Sequence, residues 1–207
     1  MKSFFRMFAT SAKEFKSIKS IAITGVFIAV SMLIESFSID IGYAKLNFSF
    51  IAIAVIGMLF GPTVSVFAGF ACDIVGFMVH PTGGFLPAYT LVAGLQGLIY
   101  GICLYHKNNK HSILIGNNVT NKQRDITLFV KIVVARLIDV IVINLFINTA
   151  LNLHYGFIPK AAYSSAIVAR IAKNVIELVA DIPLLFVILP VCLVAYKRTV
   201  RTKVKAS

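Results

Sequence analysis

The chain has 207 residues, 58% of them hydrophobic and only 14% charged, with a mean hydropathy of +0.88 and a formal net charge of +12. A soluble domain runs nearer about 45–50% apolar and about 25% charged, so this composition excludes an ordinary water-soluble fold and points to a polytopic membrane protein. With about 20 residues per span little chain is left for an extramembrane domain, and any chemistry must sit between helices or in their loops.

In chain order, apolar stretches fall at Ser17–Phe37, Leu46–Phe60, Pro62–Val79, Phe85–Tyr105, Ile126–Leu153 and Ser165–Tyr196. They predict an all-α fold of six transmembrane helices in a single domain over 1–207. The first stretch follows a basic leader and has no small-residue cleavage motif after it, so it reads as an uncleaved signal anchor. The second and third meet at Gly61-Pro62, a dipeptide that ends one helix and starts the next, which predicts a tight hairpin. Two connections have gate-like composition: Ser38–Asn47 is polar and contains Gly42 and Tyr43, and His80–Pro87 holds two glycines and two prolines. The last stretch exceeds one span and contains Pro183 and Pro190, which predicts a tilted or kinked helix.

The basic residues report topology. Lys2, Arg6, Lys13, Lys16 and Lys19 precede the first stretch, Lys107, Lys110, Lys122 and Arg124 separate the fourth from the fifth, and Lys197, Arg198, Arg201, Lys203 and Lys205 follow the last. Only Lys45 and Lys160 fall in the opposite loops. The positive-inside rule therefore predicts a multi-pass cell-membrane protein with both termini cytoplasmic, and the net charge needs no nucleic acid to explain it. Cys72, Cys103 and Cys192 lie inside spans without CxxC or Cys/His spacing, and His80, His106, His111 and His154 form no HExxH, so neither a metal site nor a cofactor is predicted. No GxxxxGK[ST] is present, which removes P-loop ATP hydrolysis. A membrane enzyme would need a nucleophile and base inside the spans, and the sequence offers no such pair.

Ionisable groups at mid-bilayer are costly unless paired or facing a cavity, so each marks a place to look. In the last stretch Arg170, Asn174, Glu177 and Asp181 recur at helical spacing on one face, with Lys173 beside them; in the fifth, Arg136, Asn144 and Asn148 share a face with Asn152 close by; the third contributes Asp73. Arg136, Asp73 and Glu177 are expected to act as structural glue, Arg136 pairing with Asp73, Asp139 or Glu177. Arg170 and Lys173 lie nearer the outer end, roughly 8–12 Å in at 1.5 Å per residue, and suit an anion. Asn148 can both donate and accept, which suits a flat heterocycle, and Phe85 and Tyr89 offer stacking faces. Gly25/Ala29, Gly57/Gly61 and Gly97/Gly101 provide small-residue spacing for close helix approach.

Gly25-Val-Phe-Ile-Ala29, then Gly57-Met-Leu-Phe-Gly61-Pro62 with Gly69 and Asp73, then Phe85-Leu-Pro-Ala-Tyr-Thr90 leading to Gly97-Leu-Ile-Tyr-Gly101, and finally Asn148-Thr149 with Arg170-Ile-Ala-Lys173-Asn174 resemble the substrate-binding S components of energy-coupling factor (ECF) vitamin transporters. The last two groups are most similar to the folate-specific branch, and the absence of tryptophan disfavours a site built on tryptophan stacking, as in the thiamin branch. The resemblance implies a non-enzymatic membrane subunit that captures folate from outside and hands it over together with a membrane-embedded T subunit and two cytoplasmic ATPases. It implies that Gly25 and Ala29 face the T subunit. Under it Arg170 and Lys173 take the glutamate carboxylates, Asn148 or Asn144 the pterin edge and Tyr89 or Phe85 the ring face, with Asn174 in the same group. The alternatives are an S component for another vitamin, such as pantothenate or a pyrimidine precursor, and a structural membrane subunit that binds no small molecule.

Overall fold

A computed structural model describes residues 2–36, 39–40, 45–46, 48–79, 81, 84–105, 121–157 and 163–204. Most of the expected gate segment Ser38–Asn47, together with His80, His106, Lys107, Lys110, His111 and Lys160, lies outside the described residues. The order is α1 (Lys2–Ala12), a 3-10 turn (Lys13–Lys16), α2 (Ile18–Ser36), the strand pair β1 (Ile39–Asp40) and β2 (Lys45–Leu46), α3 (Phe50–Phe60), α4 (Pro62–Val79), α5 (Pro87–Leu104), α6 (Asn121–Ile138), a π-helix (Asp139–Ile147), α7 (Asn148–His154) and α8 (Tyr163–Val204). The strands pair antiparallel, Ile39 opposite Leu46 and Asp40 opposite Lys45.

The expectation of six spans is corrected by this arrangement. Among the described residues four helices are long and apolar enough to cross a membrane: α2, α4, α5 and the Ile167–Tyr196 part of α8. The second apolar stretch becomes α3, whose 11 residues rise about 16 Å against a hydrocarbon core of about 30 Å. All of its residues are buried, Ala54, Val55, Ile56 and Phe60 completely. Its uniform apolarity comes from being surrounded by protein, and a helix apolar all round fits a buried core as well as a lipid span. The fifth stretch fails differently. α6 opens on Asn121-Lys-Gln-Arg-Asp125 and carries Lys131 and Arg136, then passes into the π-helix and the seven-residue α7, so no single element there is both long and apolar.

α3 turns into α4 through Gly61 alone. Gly61 adopts φ 87°, a left-handed conformation that glycine takes at little cost, and Pro62 then occupies the first helical position. Ser11 of α1 closes this turn: its hydroxyl donates to the Phe60 carbonyl at 2.7 Å and accepts from the Thr63 and Val64 amides at 3.0 and 3.3 Å. These are donors that the start of α4 leaves unpaired within the helix.

α4 and α5 pack on a seam of small residues. A Cβ on Gly97 would overlap the Ser65 carbonyl, and one on Gly69 would overlap the Ala93 carbonyl. Gly97→Ala is therefore expected to destabilise by about 1–3 kcal/mol through overpacking, seen as a lower Tm in detergent. Gly25→Ala, with nothing within 4 Å of its new methyl, is expected to leave Tm unchanged or slightly raised.

α8 presents Val168, Val175, Val179, Val187 and Val191 outward, each more than half exposed, while Asn174, Glu177, Asp181, Leu185 and Leu189 are buried on the opposite side. The outward face is one that lipid solvates, and the inward face carries the polar groups to the centre.

Candidate ligand-binding site

Among the described residues, two neighbouring chambers lie at the end of the bundle carrying residues 84–89 and 152–157. The larger, about 640 Å³, lies between α2, α4 and the start of α5 and is lined by Ser31, Glu35, Phe77, Phe85, Tyr155 and Phe157 among others. The smaller, about 260 Å³, is bounded by Phe50, Arg136, Ile143, Asn144, Asn148, Lys173 and Glu177. Ser49, Asp73, Tyr89, Ala93 and Gln96 line both, so these residues form a shared wall of one cleft. The larger chamber falls in the range of small-molecule sites, about 300–1,000 Å³, and the smaller lies just below it.

Below the smaller chamber lies a buried charge cluster. Arg136 is 3% exposed, Asp139 and Asp181 at most 1%. The guanidinium donates to Asp139 Oδ2 at 2.6 Å, to Asp181 Oδ2, and to the Tyr100 hydroxyl at 2.8 Å, and it sits 4.1 Å from the centroid of the Phe50 ring. Tyr100 and Gln96 complete the acceptor capacity of Asp139, the hydroxyl at 3.2 Å and the amide at 3.1 and 3.2 Å. Of the partners expected for Arg136, Asp139 is found. Asp73 instead accepts from Thr90 at 2.5 Å, and Glu177 takes Lys173 at 3.2 Å.

The π-helix sets the wall facing α8. The Asn148 amide reaches back to the Ile143 carbonyl, five residues earlier, and Thr149 Oγ1 donates to the Asn144 carbonyl at 3.3 Å. Arg170 reaches the same carbonyl at 3.5 Å. Such widened turns are frequent at functional sites. Here one places Ile143, Asn144 and Asn148 along the chamber.

Of the site residues expected from sequence, Asn144, Asn148, Lys173 and Tyr89 line the smaller chamber, and Tyr89 and Phe85 the larger. Arg170 and Asn174 line neither. Arg170 supports the π turn, and Asn174 is buried at 6% exposure. Gln96, Ser49, Glu35, Tyr155 and Phe157 were missed. Gln96 carried a usable signal, an amide inside an apolar helix, but attention to ionisable groups passes over it. The other four belong to loops or to helix ends, where polar and aromatic residues are ordinary. Gly25 and Ala29 lie exposed on the outer face of α2, beside Val26 at 62% exposure, whereas Gly57 packs internally, a Cβ there standing 2.9 Å from the Gly101 nitrogen.

Residues 19–189 match the family model described as the substrate-specific component of ECF transporters. The chain belongs to that family. It is a transport subunit. Over 70 residues it is 37% identical to the folate transporter FolT of Clostridium novyi (strain NT), a match covering 34% of this chain and 41% of that relative's length. The fold is similar to that in a crystal structure of FolT bound with folic acid, with a TM-score of 0.65 and 29% identity over 82% of this chain and 92% of the other.

Proposed function

We propose that this substrate-specific component captures folate from the extracellular side and delivers it with a membrane-embedded T subunit and two cytoplasmic ATPases. The observation that carries this reading is an amide- and aromatic-lined cleft in a chain whose fold is similar, over most of its length, to a folic-acid-bound FolT. The pterin occupies the deep part, near Gln96 and Asp73, with Tyr89 or Phe85 against its face and Asn148 and Asn144 along its side. Gln96 meets Asp139 at the level of Asp181, eight residues along α8 from Lys173, which is about 12 Å of helix rise. That depth leaves the glutamate tail at the level of Lys173 and Arg170, where cations meet its two carboxylates. Gly25 and Ala29, on the exposed face of α2, form the T-facing patch. Both termini lie in the cytoplasm, the side that their basic residues favour.

The test is titration of the purified chain alone with folate and then pantothenate, followed by intrinsic tyrosine fluorescence and by thermal unfolding. Tight one-to-one folate binding is expected. A ligand held only by the folded state, at 100 times its Kd, stabilises by about 2.7 kcal/mol, so Tm rises with folate. A response to pantothenate and not to folate keeps the transport role and changes the vitamin. Silence to both and to a wider vitamin panel leaves a structural subunit.

A further inference from the structure

At the end of the bundle opposite the cleft, α1 lies across the start of α4. Ser11 holds it there through the Phe60 carbonyl and the Thr63 and Val64 amides, and Thr63 Oγ1 donates back to the Phe8 carbonyl at 3.1 Å. The helix is thereby set in one orientation before anything binds it. Its apolar side is wider than the protein covers: Phe4 meets the Phe8 ring with centroids 5.0 Å apart, whereas Phe5 stands 70% exposed on the same side as exposed Ala9 and Ala12. Arg6 and Lys13 lie together by helical spacing and border that strip, and Lys16 and Lys19 follow along the chain; all four are exposed. Glu14, the one acid between Arg6 and Lys19, is buried and accepts from Ser20 Oγ at 2.7 Å, so every exposed charge of this segment is positive. Phe15 fixes the depth. Its ring meets that of Phe67 edge-on at 5.3 Å, and Phe67 shares the exposed outward face of α4 with Ile74 and Met78. Phe67 is five residues past Pro62, about 8 Å of rise into a helix long and apolar enough to span. The turn Lys13–Lys16 therefore lies at the rim of the bilayer, where hydrocarbon gives way to headgroups.

We propose that α1 and the turn after it form an interfacial segment whose Arg6, Lys13, Lys16 and Lys19 bind anionic lipid headgroups while Phe5 and Phe15 enter the acyl boundary. Cations beside phenylalanines are the composition that holds a helix in the plane of the interface. Phe15 joins the segment to the face that α4 turns to hydrocarbon, so the medium that covers Phe67 also reaches the turn. Lysine stems can cross an apolar border and still place their ammonium groups among phosphates. Because Ser11 presets the helix, headgroup binding does not have to order a loose tail. The inference is independent of the folate reading, since it concerns the other end of the bundle and uses no residue of the cleft.

The chain contains no tryptophan, so Phe5→Trp places a single indole reporter on the exposed strip of the full-length chain. The purified variant is reconstituted into vesicles of phosphatidylcholine with about 30% phosphatidylglycerol. Bromine, which quenches indole fluorescence, is carried on the acyl chains of the phosphatidylglycerol in one sample and on those of an equal amount of phosphatidylcholine in the other. Blue-shifted emission is expected in both, with quenching at least about twofold stronger where the anionic lipid carries the bromine. Salt at about 0.5 M, where the Debye length falls to about 4 Å, is expected to bring the two samples to equal quenching. Replacing Arg6, Lys13, Lys16 and Lys19 together by Gln in the same background is expected to do so at low salt. Equal quenching at low salt with the four cations in place puts the helix in the interface without headgroup selection and overturns the proposal, and so does a preference that survives the Gln replacements. Should the fourfold variant fail to fold, the salt series decides: a preference unchanged by salt overturns the proposal. Water-like emission without quenching overturns it as well, and a blue shift that then appears only on adding the T subunit and the ATPases assigns the face to those proteins.

Discussion

Arg136→Met is expected to destabilise the chain by about 3–5 kcal/mol, seen as a large loss of Tm in detergent. The cause is the two carboxylates left behind. Asp139 is fully buried and Asp181 is 1% exposed, and within the cluster the guanidinium is the cation facing both. Asp181 already has one oxygen without a hydrogen-bond partner. Removing the guanidinium also takes a donor from Tyr100 and a cation from the Phe50 ring. Neutralising the whole cluster should undo much of this cost, because a desolvated ion pair and its neutral replacement are often close in free energy. The triple variant Arg136→Met, Asp139→Asn, Asp181→Asn is thus expected to be more stable than Arg136→Met alone. A single variant within about 1 kcal/mol of wild type would show that water reaches the cluster and screens it.

The second large effect concerns binding. Replacing Arg170 and Lys173 together by Ala is expected to weaken folate binding by about 2–5 kcal/mol, or roughly 30-fold to a few thousand-fold. Lys173 lines the smaller chamber and is already paired with Glu177, so its loss both withdraws a cation from the ligand and leaves a carboxylate facing the ligand's own. The dimethyl ester of folate, whose tail is uncharged, separates charge pairing from support of the wall. The double variant is expected to lose far less affinity for the ester than for folate. Equal losses would assign both residues to the π turn that Arg170 reaches, and unchanged affinity for either ligand would remove them from the cleft.

Small effects at Gly25 and large ones at Gly97 belong to the same picture. The spacing of small residues is alike in α2 and along the α4–α5 seam, yet only the latter is filled by protein. Spacing shows that a helix can be approached closely and carries no information about what approaches it.

Membrane class, helical content, the Gly61-Pro62 hairpin and the polar faces of the fifth and last stretches were legible in the sequence, because each rests on local chemistry. Hydropathy measures transfer of side chains from water, glycine and proline act on their own backbone, and helical spacing sets which residues share a face. The number of spans was not legible. Transfer from water into lipid and into a protein core reads alike, so Phe50–Phe60 carried the signature of a span while being enclosed by its neighbours. The departure of Asp139–Ile147 into a π-helix was equally hidden, and there Thr149 and, from α8, Arg170 both reach the Asn144 carbonyl, a convergence that no single stretch displays.

At the cleft, sequence by itself supplied part of the lining: Asn144 and Asn148 on one stretch, Lys173 and Glu177 on another, and Phe85 and Tyr89 where a loop meets a helix. Tertiary structure alone decided the pairing. Arg136 was open to three carboxylates by periodicity and met Asp139 together with Asp181, a partner that helical spacing did not single out; Lys173 went to Glu177 and Asp73 to Thr90. It also decided that Gln96 belongs to the cleft and which end of its amide is spent. The physical reason is that a hydrogen bond or ion pair between helices requires a matched depth and a facing direction on two elements at once. A single helix's residue pattern fixes direction about its own axis and leaves the depth and rotation of its neighbour to packing.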